Sequence, residues 1–523
     1  MKKLTMKVSL VVAMFTLGMN VFAQTPDKAI LNWYNGKTPG MNTEAAYKLL
    51  KKKTPTPVVV GVIDSGVDIE HEDLKGQIWV NKGEIPGNGI DDDGNGYIDD
   101  VHGWSFLGTS NNENLEFTRI YKRGREKFED IDPTTLSADE KAEYDVWAAA
   151  KLKLEAERKE CEESINYYKM LRDQVIPMVP VLVKGMLGKD SYTLKDLKKW
   201  KTTDDQQAEI KSLAIAIETG ELSAQDMDEG IKHFEERLAY HLNPEFDGRA
   251  PVGDDPYDFS QTVYGNNDVE GPDALHGTHV AGIIAAVRGN GLGGDGVAAP
   301  VQIMSVRAVP NGDEYDKDIA LAIRYCVDNG ASIINMSFGK DFSPNQKEVY
   351  EAMMYAESKG VLLVHAAGND AKNLDTEPNF PAVKYSFQKL PFTHLLTIGA
   401  STRNDKGRLA ANFSNYGQSV DIFAPGFEIY NTIPDNKYKK LQGTSMAAPA
   451  VSGAAALLKA YFPNLTMLEI KDILLKTGTN YGDTAQKKPG AKDQVPFKTL
   501  THTGSVVNLL QAVRVAQAMT GTK

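Results

Sequence analysis

Cysteine is scarce in this chain of 523 residues, which contains only Cys161 and Cys326. A scaffold held together by several disulfides is therefore excluded. A single disulfide would need an oxidising compartment. Because both cysteines lie in segments of helical pattern, we expect two buried free thiols instead, and we do not expect cysteine chemistry to carry the function.

Apolar runs long enough to cross a membrane are also missing. The chain begins with basic residues, continues through the apolar stretch Val8–Met19 and reaches small residues ending at Ala23, a pattern that predicts a secretion signal over residues 1–23. An uncleaved anchor is the alternative, but the stretch is shorter than the ~20 residues that span a bilayer. After signal removal we expect no membrane anchor and a periplasmic or extracellular location.

Positive charge is in deficit, since 58 Lys and Arg face 70 Asp and Glu for a net charge of −12. Such a chain repels phosphate backbones and anionic membranes, so nucleic acid is not an expected partner. A composition of 41% hydrophobic and 24% charged residues is that of a globular protein and excludes disorder and collagen-like repeats.

Short, continuous apolar runs recur along the chain, and the first of them ends at Asp64. Runs of this kind are typical of strands buried on both faces. They occupy residues 57–65, 302–306, 332–336, 361–366 and 395–398, and helical patterns such as 318–329 and 344–359 lie between several of them. This alternation predicts an α/β fold with a doubly wound parallel sheet.

One segment breaks the alternation. Residues 137–176 contain no Gly or Pro and begin with the spacing of a capping box, so they predict a helix of up to 40 residues. Further helices are predicted at 193–200, 204–219 and 223–240. We therefore expect a mostly helical insertion over residues 113–260. A charged arm packed on its host explains the pattern at least as well as a module that binds a partner.

Three short stretches place a reactive side chain among small residues. Asp64 lies in VIDSG, His276 opens HGTHVAG and Ser445 lies in GTSMAAP. Each stretch alone could be a turn or a helix start. Together they supply Asp, His and Ser in this order, with glycines that allow the backbone and a substrate to approach closely.

With INMSFG at 334–339 and AAGN at 366–369, these stretches make the chain resemble the subtilisin-like serine peptidases, or subtilases. The resemblance covers most of residues 40–112 and 261–515 and leaves the helical insertion without a counterpart. It implies that Ser445 is the nucleophile, His276 the general base and Asp64 the residue that orients the base. It also implies an oxyanion hole made by the Asn369 side chain and the Ser445 backbone N–H.

These residue types suit the chemistry. A serine hydroxyl is a poor nucleophile at neutral pH unless a base removes its proton, and an imidazole with a pKa near ~6.5 can take that proton and return it to the leaving amine. For substrate binding, the resemblance implies that Ser337, Phe338 and Gly339 form one wall of the primary specificity pocket and an edge strand for an extended peptide.

The resemblance also divides the chain. Residues 24–56 are expected to form an amino-terminal extension, because they are too few for the family's inhibitory pro-domain. The catalytic domain is expected in two parts, 57–112 and 261–523, with the helical insertion 113–260 between the catalytic Asp and His.

An acidic loop, DDDGNGYIDD at 91–100, crowds carboxylates that repel each other unless something neutralises them. Its start matches a calcium loop, but position 12 is His102 instead of Glu, so it is not an EF-hand. Calcium-stabilised loops are common in this part of subtilases. We expect a structural calcium ion, with a solvated acidic turn as the alternative, and the candidate ligands are Asp91, Asp93, Asn95, Asp99 and Asp100.

The function expected from these observations is that of a secreted serine endopeptidase that cleaves peptide bonds in proteins through an acyl-enzyme. Two alternatives stay open: an exopeptidase or short-peptide peptidase gated by the helical insertion, and a non-catalytic secreted binding scaffold. His279 could suggest a metal pair with His276, but no further ligand is suitably spaced, so we expect His279 and His365 to be packing residues.

Overall fold

The computed structural model describes residues 30–521, and the predicted signal over residues 1–23 lies outside this range. The described part divides into two compact units. One comprises Phe117–Phe246, and the other comprises residues 30–116 and 247–521.

The strands and helices are numbered here in chain order. The strands are β1 (Val58–Asp64), β2 (Gly103–Ser105), β3 (Val301–Arg307), β4 (Ile333–Met336), β5 (Leu362–Ala366), β6 (Leu395–Ser401), β7 (Ile422–Pro425), β8 (Ile429–Ile433), β9 (Lys437–Leu441), β10 (Thr479–Asn480), β11 (Ala485–Lys487), β12 (Gln494–Pro496) and β13 (Ser505–Val506). The helices are α1 (Thr43–Leu50), α2 (Glu116–Phe128), α3 (Ala138–Met170), α4 (Ile176–Leu187), α5 (Leu194–Lys199), α6 (Asp205–Glu218), α7 (Ala224–Glu236), α8 (Leu275–Ala285), α9 (Asp316–Asp328), α10 (Gln346–Ser358), α11 (Thr444–Tyr461), α12 (Met467–Thr477) and α13 (Leu509–Thr520).

The larger unit is built on one sheet of nine strands in the order β10-β13-β7-β6-β5-β4-β1-β3-β2. Its strands run parallel except for β10, which is antiparallel to β13. The five apolar runs seen in the sequence are β1, β3, β4, β5 and β6. The predicted parallel α/β sheet is therefore confirmed.

Both faces of the sheet are covered by helices. Successive side chains of a strand point to opposite faces, so each strand contributes to both cores. On one face, Val60 and Val62 of β1 pack with residues of α8, α11, α12 and α13. On the other face, Ile63 and Met304 pack with residues of α9 and α10. This double covering explains why the strands read as unbroken apolar runs. Because the paired strands run parallel, their carboxyl ends lie along one edge of the sheet.

The smaller unit, Phe117–Phe246, is helical. Ser137 caps α3 in a capping box with Glu140, and the helical path passes through a π turn at Leu171–Val175 into α4. It therefore continues beyond residue 176, where the predicted helix ended, because the π turn shifts the hydrogen bonding just before Pro177. That residues 113–260 form an inserted domain stays a prediction.

The structure also bears on the two cysteines and on membrane-spanning helices. Cys161 and Cys326 are both buried free thiols, as predicted. Within residues 30–521, no helix combines the length and the apolar character that crossing a membrane requires.

Candidate active site

Asp64 and His276 form a hydrogen-bonded pair at the carboxyl edge of the sheet. Asp64 is the last residue of β1, and His276 is the second residue of α8. Their Nδ1 and Oδ1 atoms are 2.7 Å apart, with the carboxylate buried and the imidazole 38% exposed. The two elements approach so closely that a Cβ atom at Gly277 would lie 2.1 Å from the Gly66 carbonyl oxygen. Gly277, the first glycine in HGTHVAG, therefore allows the two elements to come close enough for the pair to form.

The surroundings of His276 favour the protonated imidazole more than water does. Burial by itself opposes protonation of His276, but the charge of Asp64 and its hydrogen bond outweigh burial, with a further contribution from Asp273. The pKa of His276 is consequently raised above its ordinary value of 6.5. The ring is thus a stronger base than a free imidazole.

Ser445 is the second residue of α11 and lies against the end of β4. Its hydroxyl donates to the carbonyl oxygen of Ser337 at 3.1 Å, and the Ser337 hydroxyl donates to the carbonyl oxygen of Ser445 at 2.9 Å. No hydrogen bond joins Ser445 to His276 within the described part of the chain. Hydrogen bonds between catalytic groups often shorten only when a substrate binds.

Asn369 follows β5, the strand beside β4, and its side chain is exposed. Its Oδ1 atom accepts hydrogen bonds from the Thr444 backbone N–H at 2.9 Å and from the Thr444 hydroxyl at 3.1 Å. Because these bonds use the oxygen, the amide N–H groups stay available. The side chain is thereby fixed as a donor next to the residue that precedes Ser445.

Phe338 and Gly339 continue from β4 past Ser337. Phe338 is 9% exposed, and its carbonyl oxygen lies 2.8 Å from Nε2 of His365. Burial lowers the pKa of His365 to about 4, so the ring is neutral and donates to Phe338. The backbone of the predicted peptide-binding edge is therefore held by a buried histidine.

The acidic loop gathers a different set of carboxylates from the one singled out in the sequence. Glu84, Asp93 and Asp100 place ligand oxygens within 4.8 Å of one another. Asn95 donates its side-chain amide to Asp93 and Asp100. Burial raises the pKa of Asp100, although hydrogen bonds from Tyr325, Asn81 and Asn95 oppose this effect. An oxygen-only cluster of this kind could hold a hard cation.

Two of the predicted ligands serve the loop itself. Asp91 accepts backbone N–H groups from Gly94, Asn95 and Gly96, and Asp99 accepts them from Gly87, Asn88 and Gly89. Glu84 was missed by sequence reasoning because it precedes the acidic stretch and lies among Gly and Pro residues, with no local signal of a ligand.

A model of the subtilase family matches residues 56–491, which is most of the chain. The chain belongs to the subtilase family. This subtilase is 38% identical over 245 residues to the thermophilic serine proteinase of Bacillus sp. (strain AK1), covering 47% of this chain and 55% of the relative. It is 36% identical over 217 residues to thermitase of Thermoactinomyces vulgaris, covering 41% and 70%, and 36% identical over 211 residues to subtilisin Savinase of Lederbergia lenta, covering 40% and 72%.

The predicted family is thus confirmed, and relatives named as proteinase, thermitase and subtilisin support the predicted class, a serine peptidase. The matched part spans about half of the Bacillus proteinase and more than two thirds of the other two relatives.

The remaining histidine of this subtilase's HGTHVAG stretch is buried. Nε2 of His279 lies 3.2 Å from the Ile429 carbonyl oxygen and 3.1 Å from that of Lys439, and burial lowers the pKa of His279 to about 3. A neutral ring that donates to the β8–β9 hairpin fits the packing role expected from the sequence.

Proposed function

We propose that this subtilase is a secreted serine endopeptidase that hydrolyses peptide bonds in proteins through an acyl-enzyme. The observation that carries the proposal is the 2.7 Å contact between His276 Nδ1 and Asp64 Oδ1, which leaves Nε2 as the nitrogen that accepts a proton. Labelling with a serine-directed phosphonate tests it. Wild type should be labelled and Ser445→Ala should not, whereas equal labelling of the two would refute the assignment.

In the proposed reaction, the Ser445 hydroxyl attacks the scissile carbonyl while Nε2 of His276 takes the hydroxyl proton. Asp64 keeps Nδ1 protonated and stabilises the imidazolium that forms. The amine leaves after His276 returns the proton to it, and a water molecule, deprotonated by the same ring, hydrolyses the acyl-enzyme.

Negative charge develops on the carbonyl oxygen during both steps. The Asn369 amide and the Ser445 backbone N–H are the proposed donors to it. The support for Asn369 is its orientation, since Thr444 occupies the amide oxygen twice and leaves the N–H groups for the substrate.

Ser337, Phe338 and Gly339 are the proposed binding edge for the substrate backbone. Main-chain pairing of this kind tolerates many sequences, which suits protein substrates. The proposal also includes export directed by residues 1–23, for which amino-terminal sequencing of the mature protein should return a chain beginning at Gln24.

We also propose a structural calcium ion in the acidic loop. Carboxylate oxygens of Glu84, Asp93 and Asp100 are the hard ligands that calcium prefers, and their closeness is unfavourable without a neutralising charge. Asp91, Asp99 and Asn95 would shape the loop through their hydrogen bonds. The ion would stabilise the fold, and none of the proposed chemical steps involves it.

A further inference from the structure

The carboxyl edge of the sheet carries a second charged residue beside Asp64. Arg307 is the last residue of β3, and it is paired in parallel register with Asp64, the last residue of β1. The backbone N–H groups of Ala308 and Val309 donate to the Asp64 carbonyl oxygen at 3.0 and 3.2 Å. The end of β3 is therefore attached directly to the residue that orients the proposed base.

The Arg307 side chain is 1% exposed, yet no carboxylate within residues 30–521 lies at ion-pair distance from it. Burial lowers the pKa of Arg307, while Asp268 and Asp273 oppose that effect from a distance. A buried charge is unfavourable unless hydrogen bonds replace its water. A site that keeps an unpaired guanidinium therefore needs acceptors placed around it.

Those acceptors come from the end of β2 and from two loops at the carboxyl edge of the sheet. Nε donates to the Ser65 carbonyl oxygen at 3.1 Å, and Nη1 donates to the Gly108 carbonyl oxygen at 2.8 Å and to the Ser105 hydroxyl at 3.2 Å. Nη2 donates to the Ser110 carbonyl oxygen. The planar guanidinium thus joins the turn after β1 to the loop after β2.

The contact with Ser65 leads directly to the proposed catalytic pair. The Ser65 backbone N–H donates to Oδ1 of Asp64 at 2.8 Å, and this is the same oxygen that contacts His276. One peptide unit away, the Ser65 carbonyl is held by Arg307. Any movement of this turn changes the position of the carboxylate oxygen.

The loop that leads into α8 also packs against the Arg307 guanidinium. Gly271 has φ +66°, and a Cβ atom there would lie 2.2 Å from Arg307 Nε. Because His276 follows five residues later, Arg307 contacts the approach to both members of the pair.

We propose that Arg307 is a positioning residue that sets the geometry of the Asp64–His276 pair by holding the Ser65 carbonyl and supporting the Gly271 loop. The inference rests on the proposed function, because it assumes that this pair is catalytic. Arg307 touches neither substrate nor reacting atoms, so its effect on the reaction is indirect.

The first test replaces Arg307 by Met and by Lys. Misplacement of a catalytic group by about 1 Å can cost about 10²-fold, so we expect kcat of Arg307→Met to fall roughly 10- to 100-fold with KM changed less than about twofold. Arg307→Lys keeps the charge and part of the hydrogen bonding, so it should recover part of the loss.

A merely structural role would leave the acid side of the kcat/KM profile unchanged. The charged or titratable groups that act on His276 are Asp64, Asp273 and His279. If the contact with Asp64 loosens, the pKa of His276 should fall towards 6.5, and the acid limb of the profile should move to lower pH in both variants.

The second test covers the case in which Arg307→Met does not fold. Gly271→Ala keeps the arginine but places a methyl group against Nε, and the loop is partly exposed, so it should reduce kcat and move the acid limb in the same direction. Leu474→Ala, a buried truncation in α12, is the stability control and should lower the melting temperature without moving the profile.

The outcomes separate the two proposals. If wild type neither cleaves peptides nor reacts with the phosphonate, the proposed function fails. If wild type is active but Arg307→Lys and Gly271→Ala keep the wild-type kcat and acid limb, the positioning role of Arg307 is refuted while the function stands.

Discussion

Replacing Asn369 by Ala is the most direct test of how the proposed active site stabilises charge. The substitution removes an amide whose oxygen is already occupied by Thr444, so what the reaction loses is an N–H donor. A single donor to an oxyanion contributes about 2.7–4 kcal/mol to the transition state. At about 1.36 kcal/mol per factor of ten, kcat should fall about 10²- to 10³-fold.

The loss should appear in kcat and leave KM within about twofold, because the oxyanion exists only in the transition state. Initial rates on a chromogenic peptide amide, measured over a range of concentrations, separate the two constants. The melting temperature should change little, since Asn369 is exposed.

Thr444→Val is the matched control. It removes the hydroxyl that donates to Asn369 Oδ1 and accepts from the Gly368 N–H, but it retains the Thr444 backbone N–H bond and the Asn369 amide itself. We therefore expect a loss of roughly tenfold or less. An Asn369→Ala enzyme that keeps more than about a third of the wild-type kcat, or that loses activity only through KM, would refute the reasoning.

Three further predictions address the base, the metal and the helical unit. The acid limb of the kcat/KM profile should have its midpoint above pH 6.5, because a raised pKa keeps His276 protonated to higher pH. Asp64→Asn should lower this midpoint and should reduce kcat by about 10⁴-fold, and an unmoved midpoint would contradict the proposed pairing of Asp64 with His276. Chelation of calcium should lower the melting temperature of wild type, because removing an ion present at about 100 times its Kd costs about 2.7 kcal/mol of folding stability. Glu84→Gln should remove this response and Asp91→Asn should keep it, whereas an unresponsive wild type would mean that the cluster holds no calcium. We propose that residues 117–246 select protein substrates, so replacing them by a short Gly-Ser linker should change the ratio of protein to peptide cleavage, and an unchanged ratio would exclude this role. The linker can be short, because the hydroxyl of Ser110, which precedes the helical unit, donates to the carbonyl oxygen of Gly248, which follows it, at 2.6 Å.

Much of the carboxyl edge of the sheet was predictable, because the sequence signals for its strands and helices are local. An unbroken apolar run that ends in an acid predicts a buried strand with a side chain at its carboxyl end, and β1 does end at Asp64. The helix boundaries were equally local, since Ser137, Thr193 and Ser223 cap α3, α5 and α7 through their side chains. Caps and apolar periodicity act over a few residues, so one sequence contains them.

Glu84 and Arg307 show what local signals leave out. Glu84 becomes a possible ligand only when the loop folds back to place Asp93 and Asp100 beside it. Arg307 follows an apolar run much as Asp64 does, but its acceptors lie on turns about 200 or more positions away in the sequence. Most of these acceptors are backbone carbonyls, which every residue carries, so no residue type marks them in advance.

The backbone of Ser445, the proposed nucleophile, is held by contacts that are separate from those of its hydroxyl. The Ser337 hydroxyl donates to the Ser445 carbonyl oxygen. The Asn335 side chain donates to the Ser337 hydroxyl and accepts from the hydroxyl of Ser452, which lies in the same helix α11 as Ser445. All of these bonds persist when the Ser445 hydroxyl rotates. Its own bond to the Ser337 carbonyl is a neutral one, with a net contribution of about 0.5–1.5 kcal/mol.

A peptide paired with the proposed binding edge would compete for that same Ser337 carbonyl through its own N–H. A peptide N–H at this carbonyl would weaken the bond that holds the Ser445 hydroxyl, and in the proposed mechanism the hydroxyl then pairs with His276. The small energy of the bond being exchanged means that this switch takes little from the binding energy of the substrate. The resting contact between Ser445 and Ser337 is therefore compatible with a nucleophile that is activated when the peptide binds.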